Sequence, residues 1–148
     1  MATADIGDEE TNATVSQVLE FELGDETYCV SIDHVTEIVD MGDVTVVPNS
    51  PPHVEGVMDL RGATTTIIAP KRLLAIPDGG EEMRIVVFDP STFDDDQSVG
   101  WVVDSVNEVT RVVEDDVDDS PTDDEYIRGI VKRDGEFVVW LKPRDLQA

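Results

Sequence analysis

Leu19-Glu20-Phe21-Glu22-Leu23-Gly24-Asp25-Glu26-Thr27-Tyr28-Cys29-Val30-Ser31-Ile32 is the stretch that decides the fold. Leu19, Phe21 and Leu23 alternate with two glutamates, Gly24-Asp25 turns the chain, and Tyr28, Val30 and Ile32 alternate again. A period of two places apolar side chains on one face of an extended chain, so the segment predicts a β-hairpin. Cys29, between Tyr28 and Val30, reads as a small packed side chain; it is the chain's one cysteine and has no disulfide partner within it.

Working outward, residues 1–16 are polar and without periodicity and read as a flexible tail. Beyond the hairpin, Asp33 is a candidate N-cap for a short helix in which Val35, Ile38 and Val39 share a face, ending before Gly42. A strand over Val44–Val47 stops at Pro48, and Pro51-Pro52 enforces an extended loop. Gly56-Val57-Met58-Asp59-Leu60-Arg61-Gly62 then reads as a strand entering a tight turn, with Gly56 and Gly62 as its structural turn glycines and Ala63 to Ala69 returning. Further strands are expected over Met83–Phe88, Ser98–Val106, Glu108–Val113, Tyr126–Val131 and Glu136–Leu141, with Arg133-Asp134-Gly135 closing the last hairpin. About ten short strands and few helices predict an all-β fold of closed or nearly closed barrels. Arg61, the first basic residue in the chain, falls at a rim, where it serves either as an interface anchor or in an ion pair with a local carboxylate.

The 148 residues carry 34 acidic and 10 basic side chains, a net charge of -24. Phosphate backbones and anionic membrane surfaces are repelled by such a chain, which excludes nucleic acid and membrane as expected partners. Self-repulsion on this scale is screened only in concentrated salt, so the composition reads as that of a salt-adapted cytoplasmic protein whose acidic runs face solvent. No apolar run approaches the roughly 20 residues of a membrane span. An enzyme reading finds no support: His34 and His53 are the only histidines, both read as surface residues, and they have no spaced metal partners. Glu114 through Asp119 lacks the glycine and spacing of a calcium loop, so neither metal nor cofactor is expected.

An ordered set of motifs adds to this reading. Phe21-Glu22-Leu23-Gly24, Val35, Glu37-Ile38, Pro48-Asn49-Ser50-Pro51, Gly56 to Gly62, Val99-Gly100-Trp101-Val102-Val103-Asp104-Ser105-Val106 and Tyr126-Ile127-Arg128-Gly129-Ile130 resemble the CheW family of chemotaxis coupling proteins over about residues 17–146. The resemblance implies two five-stranded SH3-like sub-barrels packed around a hydrophobic seam. It implies a non-catalytic adaptor between the regulatory domain of a CheA-like histidine kinase, bound at sub-barrel edges, and a chemoreceptor signalling domain, bound in the groove between sub-barrels. Carried over by position, the receptor-binding residues are Ile32, Val35 and Ile38 from the first lobe and Ile85 and Val106 from the second, with Glu37 and Arg61 matching family positions and able to pair with each other. Trp101 is expected at the lobe seam. The chain departs from the family pattern at Asp59, where asparagine is usual, and at Thr66-Ile67-Ile68-Ala69-Pro70, which leaves the connection after that strand open.

Overall fold

In a computed structural model, which describes residues 15–77, 81–93, 97–122 and 124–146, the hairpin forms as β1 (Val15–Leu23) and β2 (Glu26–Ser31). Their two-residue turn uses the left-handed conformation of Gly24, φ 64°. Of the tail expected over 1–16, residues 1–14 lie outside the described residues, and Val15 and Ser16 already belong to β1. The remaining strands are β3 (Val35–Asp40), β4 (Val54–Leu60), β5 (Ala63–Ile68), β6 (Arg84–Phe88), β7 (Val99–Val103), β8 (Ser105–Val113), β9 (Val117–Asp118), β10 (Ile127–Arg133) and β11 (Glu136–Leu141). Two single-turn helices, α1 (Pro70–Leu73) and α2 (Pro143–Leu146), follow β5 and β11.

The strands form two mixed sheets. One runs β8-β1-β2-β11-β10-β9 and the other β3-β6-β7-β5-β4, each with one parallel pair, β11 with β2 and β5 with β7. The sub-barrels are therefore not the two halves of the sequence. The first hairpin belongs with the C-terminal strands, and the chain leaves that sheet after β2 and returns to it at β8.

Each sheet curls around its own apolar interior. Val18, Cys29, Val112, Val131, Val138 and Trp140, joined by Val117, form one cluster drawn from all six strands of the first sheet. Ile67, Ala69, Ile85, Val87 and Val102, with Val39, Met58 and Leu60 against them, form a second drawn from all five strands of the other. A third cluster lies between the sheets: Leu19, Phe21, Leu23, Tyr28, Val30 and Leu141 from one, with Ile68, Val86, Phe88, Val99, Trp101 and Val103 from the other. Trp101 is fully buried here as expected of a seam residue, meeting Phe21 edge-on at 6.2 Å across the sheets and Phe88 at 4.8 Å. The hairpin is thus apolar on both faces. Leu19, Phe21, Leu23, Tyr28 and Val30 face the seam, and Val18 and Cys29 face the barrel interior, which is why the cysteine sits inside the alternation.

Four sequence expectations are corrected. Asp33 opens no α-helix: a single 3₁₀ turn over Ile32–His34 leads directly into strand β3. Val35 pairs with Phe88 and Ile38 with Val86, with a bulge between Val35 and Glu37, so the extra residue brings positions three apart onto one face, as a helix would. The strand expected over Val44–Val47 is reduced to one bridge, Thr45 with Val57. The apolar run ending at Val106 is broken at Asp104, and β8 is continuous from Ser105 to Val113. His53, expected at the surface, is buried where its carbonyl accepts the Ala69 N–H at 2.8 Å and the proline loop closes over the start of α1.

Gly56 and Gly62 have different tasks. Gly62, φ 86°, and Arg61, φ 54°, make the two-residue turn between β4 and β5, and the Asp59 carboxylate accepts the Gly62 N–H at 2.8 Å. An aspartate oxygen fills this accepting role as well as an amide oxygen does. Gly56 is not in a turn. It occupies a bulge inside β4 with φ 152°, and a Cβ there would lie 2.2 Å from the Thr45 carbonyl oxygen, so only glycine lets the bridging strand approach.

Candidate interaction cleft

Strand pairing orders the candidate residues. Residues opposite one another on neighbouring strands share a face. Ile38 lies opposite Val86, which belongs to the shared core, and so faces the seam; its neighbour Val39 lies opposite Ile85 and faces the interior of the second sheet. Ile38 stands at the edge of the seam, 37% exposed. Val106, near the start of β8 in the first sheet, packs partly buried against the same core, as do Ile32 and Val35.

Ile38 and Val106 line one open cleft of about 410 Å³ with Met83, Arg84, Asp104 and Ser105. Its walls come from different sheets, and it is the seam's mouth. Met83, 55% exposed, adds a flexible, unbranched apolar side chain to the cleft wall. Arg84 closes one rim through an ion pair with Asp40 at 3.3 Å. Met83 and Arg84 had no distinguishing mark in the sequence, because their place beside Ile38 depends on β3 pairing with β6, a contact between segments some 45 residues apart.

The other predicted residues fall outside this cleft. Ile85 is wholly buried in the interior of the second sheet, and it belongs to the same sheet as Val35 and Ile38 rather than to the opposite lobe. It shapes the wall from behind. Glu37 and Arg61 form a two-pronged pair, Nη2 to Oε1 at 3.0 Å and Nη1 to Oε2 at 3.1 Å, between β3 and the β4–β5 turn. Arg61 remains 80% exposed, at a rim as expected, so the ion-pair role and the rim position coexist.

Two other polar clusters hold the frame. Glu20 is buried on the inner face of β1, where it pairs with Arg133 and accepts the Thr110 hydroxyl at 3.0 Å. Arg128 reaches both oxygens of Glu114 at 3.1 Å and stacks 4.4 Å from the centre of the Trp140 ring. Burial, reinforced by the Glu20 charge, pushes the Cys29 thiol well above its ordinary range. Among the described residues no three histidine, cysteine or acidic side chains converge on a point that could hold a metal, and no helix is long and apolar enough to cross a membrane.

Two curled sheets clamped on a common aromatic core, with an open cleft of mixed apolar and charged lining at their seam, define a double sub-barrel β module. The chain belongs to the CheW family: the CheW-like domain model matches residues 17–148. It is 29% identical to the chemotaxis protein CheW of Thermotoga maritima over 128 residues, 84% of this chain and 83% of that protein. It is also 29% identical to chemotaxis protein CheW of Bacillus subtilis over 132 residues, 84% of this chain and 82% of the relative. The crystal structure of the scaffolding protein TtCheW from Thermoanaerobacter tengcongensis superposes with a TM-score of 0.80 at 27% identity, covering 90% of this chain and 92% of that one. The two sub-barrels are thus the SH3-like architecture of this family, and the chain is a chemotaxis adaptor coupling a CheA-type kinase to chemoreceptors.

Proposed function

We propose that the cleft receives the cytoplasmic tip of a chemoreceptor, a helical hairpin, and that the regulatory domain of the kinase docks on the outer edges of the sub-barrels. The adaptor transmits by holding both partners and performs no catalysis of its own. One observation carries the receptor assignment: Ile38 and Val106, from different sheets, share an open cleft with the exposed Met83. A helix laid into such a groove is anchored by a few apolar side chains. Ile32 and Val35 back the groove against the shared core, Ile85 supports it from within the second sheet, and the Glu37–Arg61 pair stands outside it as an orienting rim.

With a net charge of -24 the surface repels most acidic partners at low salt, so apolar burial rather than charge pairing supplies the attraction. In the brine that the composition suits, this mode is strengthened while exposed ion pairs are screened. Binding of a receptor signalling-domain fragment to the wild type and to Ile38→Asp tests the assignment. Val35→Asp is a poorer test, because Val35 is half-buried against the shared core and an acid there threatens the fold. The reading predicts a folded Ile38→Asp protein that no longer retains the fragment; undiminished retention would refute the cleft assignment.

A further inference from the structure

Behind the cleft, one residue joins the two sub-barrels. Asp104 is the single residue between β7 of the second sheet and β8 of the first, the point at which the chain crosses back. Its N–H donates to the Glu22 carbonyl at 3.0 Å, and its Oδ2 accepts the Gly24 N–H at 2.6 Å, so it is fastened to the β1–β2 turn of the first sheet. Its Oδ1 lies 2.7 Å from Nζ of Lys71, which α1 carries in from the end of β5 in the second sheet. The lysine side chain is 2% exposed and the aspartate 11%. Oδ1 is itself buried and has no well-aligned hydrogen bond among the described residues, so the ammonium charge is what compensates it.

The surroundings make this a joint rather than an isolated pair. Leu73, Leu74 and Ile76 pack against the shared core, and a Cβ on Gly24 would meet Ile76 at 3.1 Å, so the segment carrying Lys71 sits directly on the turn that Asp104 grips. Asp104 and the next two residues, Ser105 and Val106, also line the cleft, facing Met83, whose N–H donates to the Val103 carbonyl at 3.1 Å. A chain with only three lysines has enclosed one of them at this joint. The connection left open at Ala69-Pro70 is what delivers it: Pro70 starts α1, where its missing N–H costs nothing, and Lys71 follows.

We propose that the Lys71–Asp104 pair is a positioning device that fixes how the two sub-barrels sit against one another and so sets the opening of the cleft. Apolar packing is non-directional and tolerates small rotations of one sheet over another, whereas here a carboxylate whose Oδ2 is held by the Gly24 N–H of one sheet lies 2.7 Å from a buried ammonium carried by the other, so a rotation that parts them leaves two buried charges uncompensated. Lys71 and Asp104 thereby act on receptor docking through Val106 and Met83. The proposal rests on the cleft assignment above.

Spin labels at Thr64→Cys in β5 and Val109→Cys in β8, both exposed, report the distance between the sub-barrels, since native Cys29 is buried and escapes labelling. The pair is neutralised by Lys71→Met with Asp104→Asn, which keeps an oxygen for the Gly24 N–H; Lys71→Arg keeps the charge but changes its shape. In whichever of these variants gives a wild-type circular dichroism spectrum, the label distance should broaden or shift. Affinity for a receptor signalling-domain fragment should fall on the order of tenfold, while affinity for the kinase regulatory domain, bound at outer edges, stays nearly constant. A folded variant with unchanged distance and unchanged receptor affinity overturns the proposal. If the wild type itself does not bind the fragment, the cleft assignment fails instead, and the label distances still decide whether the pair positions the sub-barrels.

Discussion

Truncating Ile38 and Met83 together measures how much of receptor docking the cleft supplies. Complete burial of an isoleucine or methionine side chain stabilises by about 1.5–3 kcal/mol. Ile38 is 37% and Met83 55% exposed in the free adaptor, so covering what remains is worth about 0.6–1 and 0.8–1.6 kcal/mol respectively. Ile38→Ala with Met83→Ala should therefore weaken receptor-fragment binding roughly 10- to 100-fold, Ile38→Ala alone contributing about 3- to 5-fold and Met83→Ala alone about 4- to 15-fold. Titration calorimetry at low and at molar sodium chloride is the assay. Because the lost term is apolar, the ratio of wild-type to variant affinity should hold or rise in molar salt. A ratio near one, or one that collapses in high salt, would mean that charge rather than apolar burial carries the docking. Thermal melts of the double variant guard against the trivial explanation, since both side chains stand at the surface end of the seam.

Other consequences are equally concrete. Gly56→Ala should cost at least about 2 kcal/mol and lower the melting temperature on the order of 10 °C, because the new Cβ meets backbone, whereas Gly62→Ala, with open space around it, should cost only about 1 kcal/mol of strain. Arg61→Ala should change stability by no more than about 1 kcal/mol, and by less as salt rises, since the Glu37 pair is largely exposed; urea melts at two salt concentrations check this. Cys29 should resist alkylation in the native protein at pH 8 and react on unfolding. Its thiol titrates higher in the folded state than in the unfolded chain, so its contribution to stability is fully present below about pH 8.5 and declines as pH rises beyond that, measurable as a falling urea midpoint.

What the sequence made legible was the local part of the fold. Alternation in Leu19–Leu23 and Tyr28–Ile32, and the Asp134-Gly135 turn with both residues at positive φ, each encode a hairpin through nearest neighbours. The β3 bulge was illegible because one extra residue converts the period-two pattern into the i, i+3 spacing of Val35 and Ile38, and nothing in Val35–Asp40 itself distinguishes the two solutions. Pairing of β1 with β8 and of β2 with β11 spans most of the chain, so the exchange of the first hairpin into the C-terminal sub-barrel had no local sign. The candidate site divides the same way. Family order pointed to Ile38, Val106 and Arg61, but that Ile85 turns inward, that Met83 completes the cleft and that Lys71 finds Asp104 are outcomes of non-local packing.

Amide hydrogen exchange of the adaptor, alone and saturated with a receptor signalling-domain fragment, tests the central assignment most directly. New protection is expected around Met83–Ile85 and Ser105–Asn107 and along Val35–Ile38, on both walls of the seam at once, with the opposite edge strands β4 and β9 unchanged. Protection confined to outer strands such as β9 and β10, with the seam exchanging as in the free protein, would contradict it.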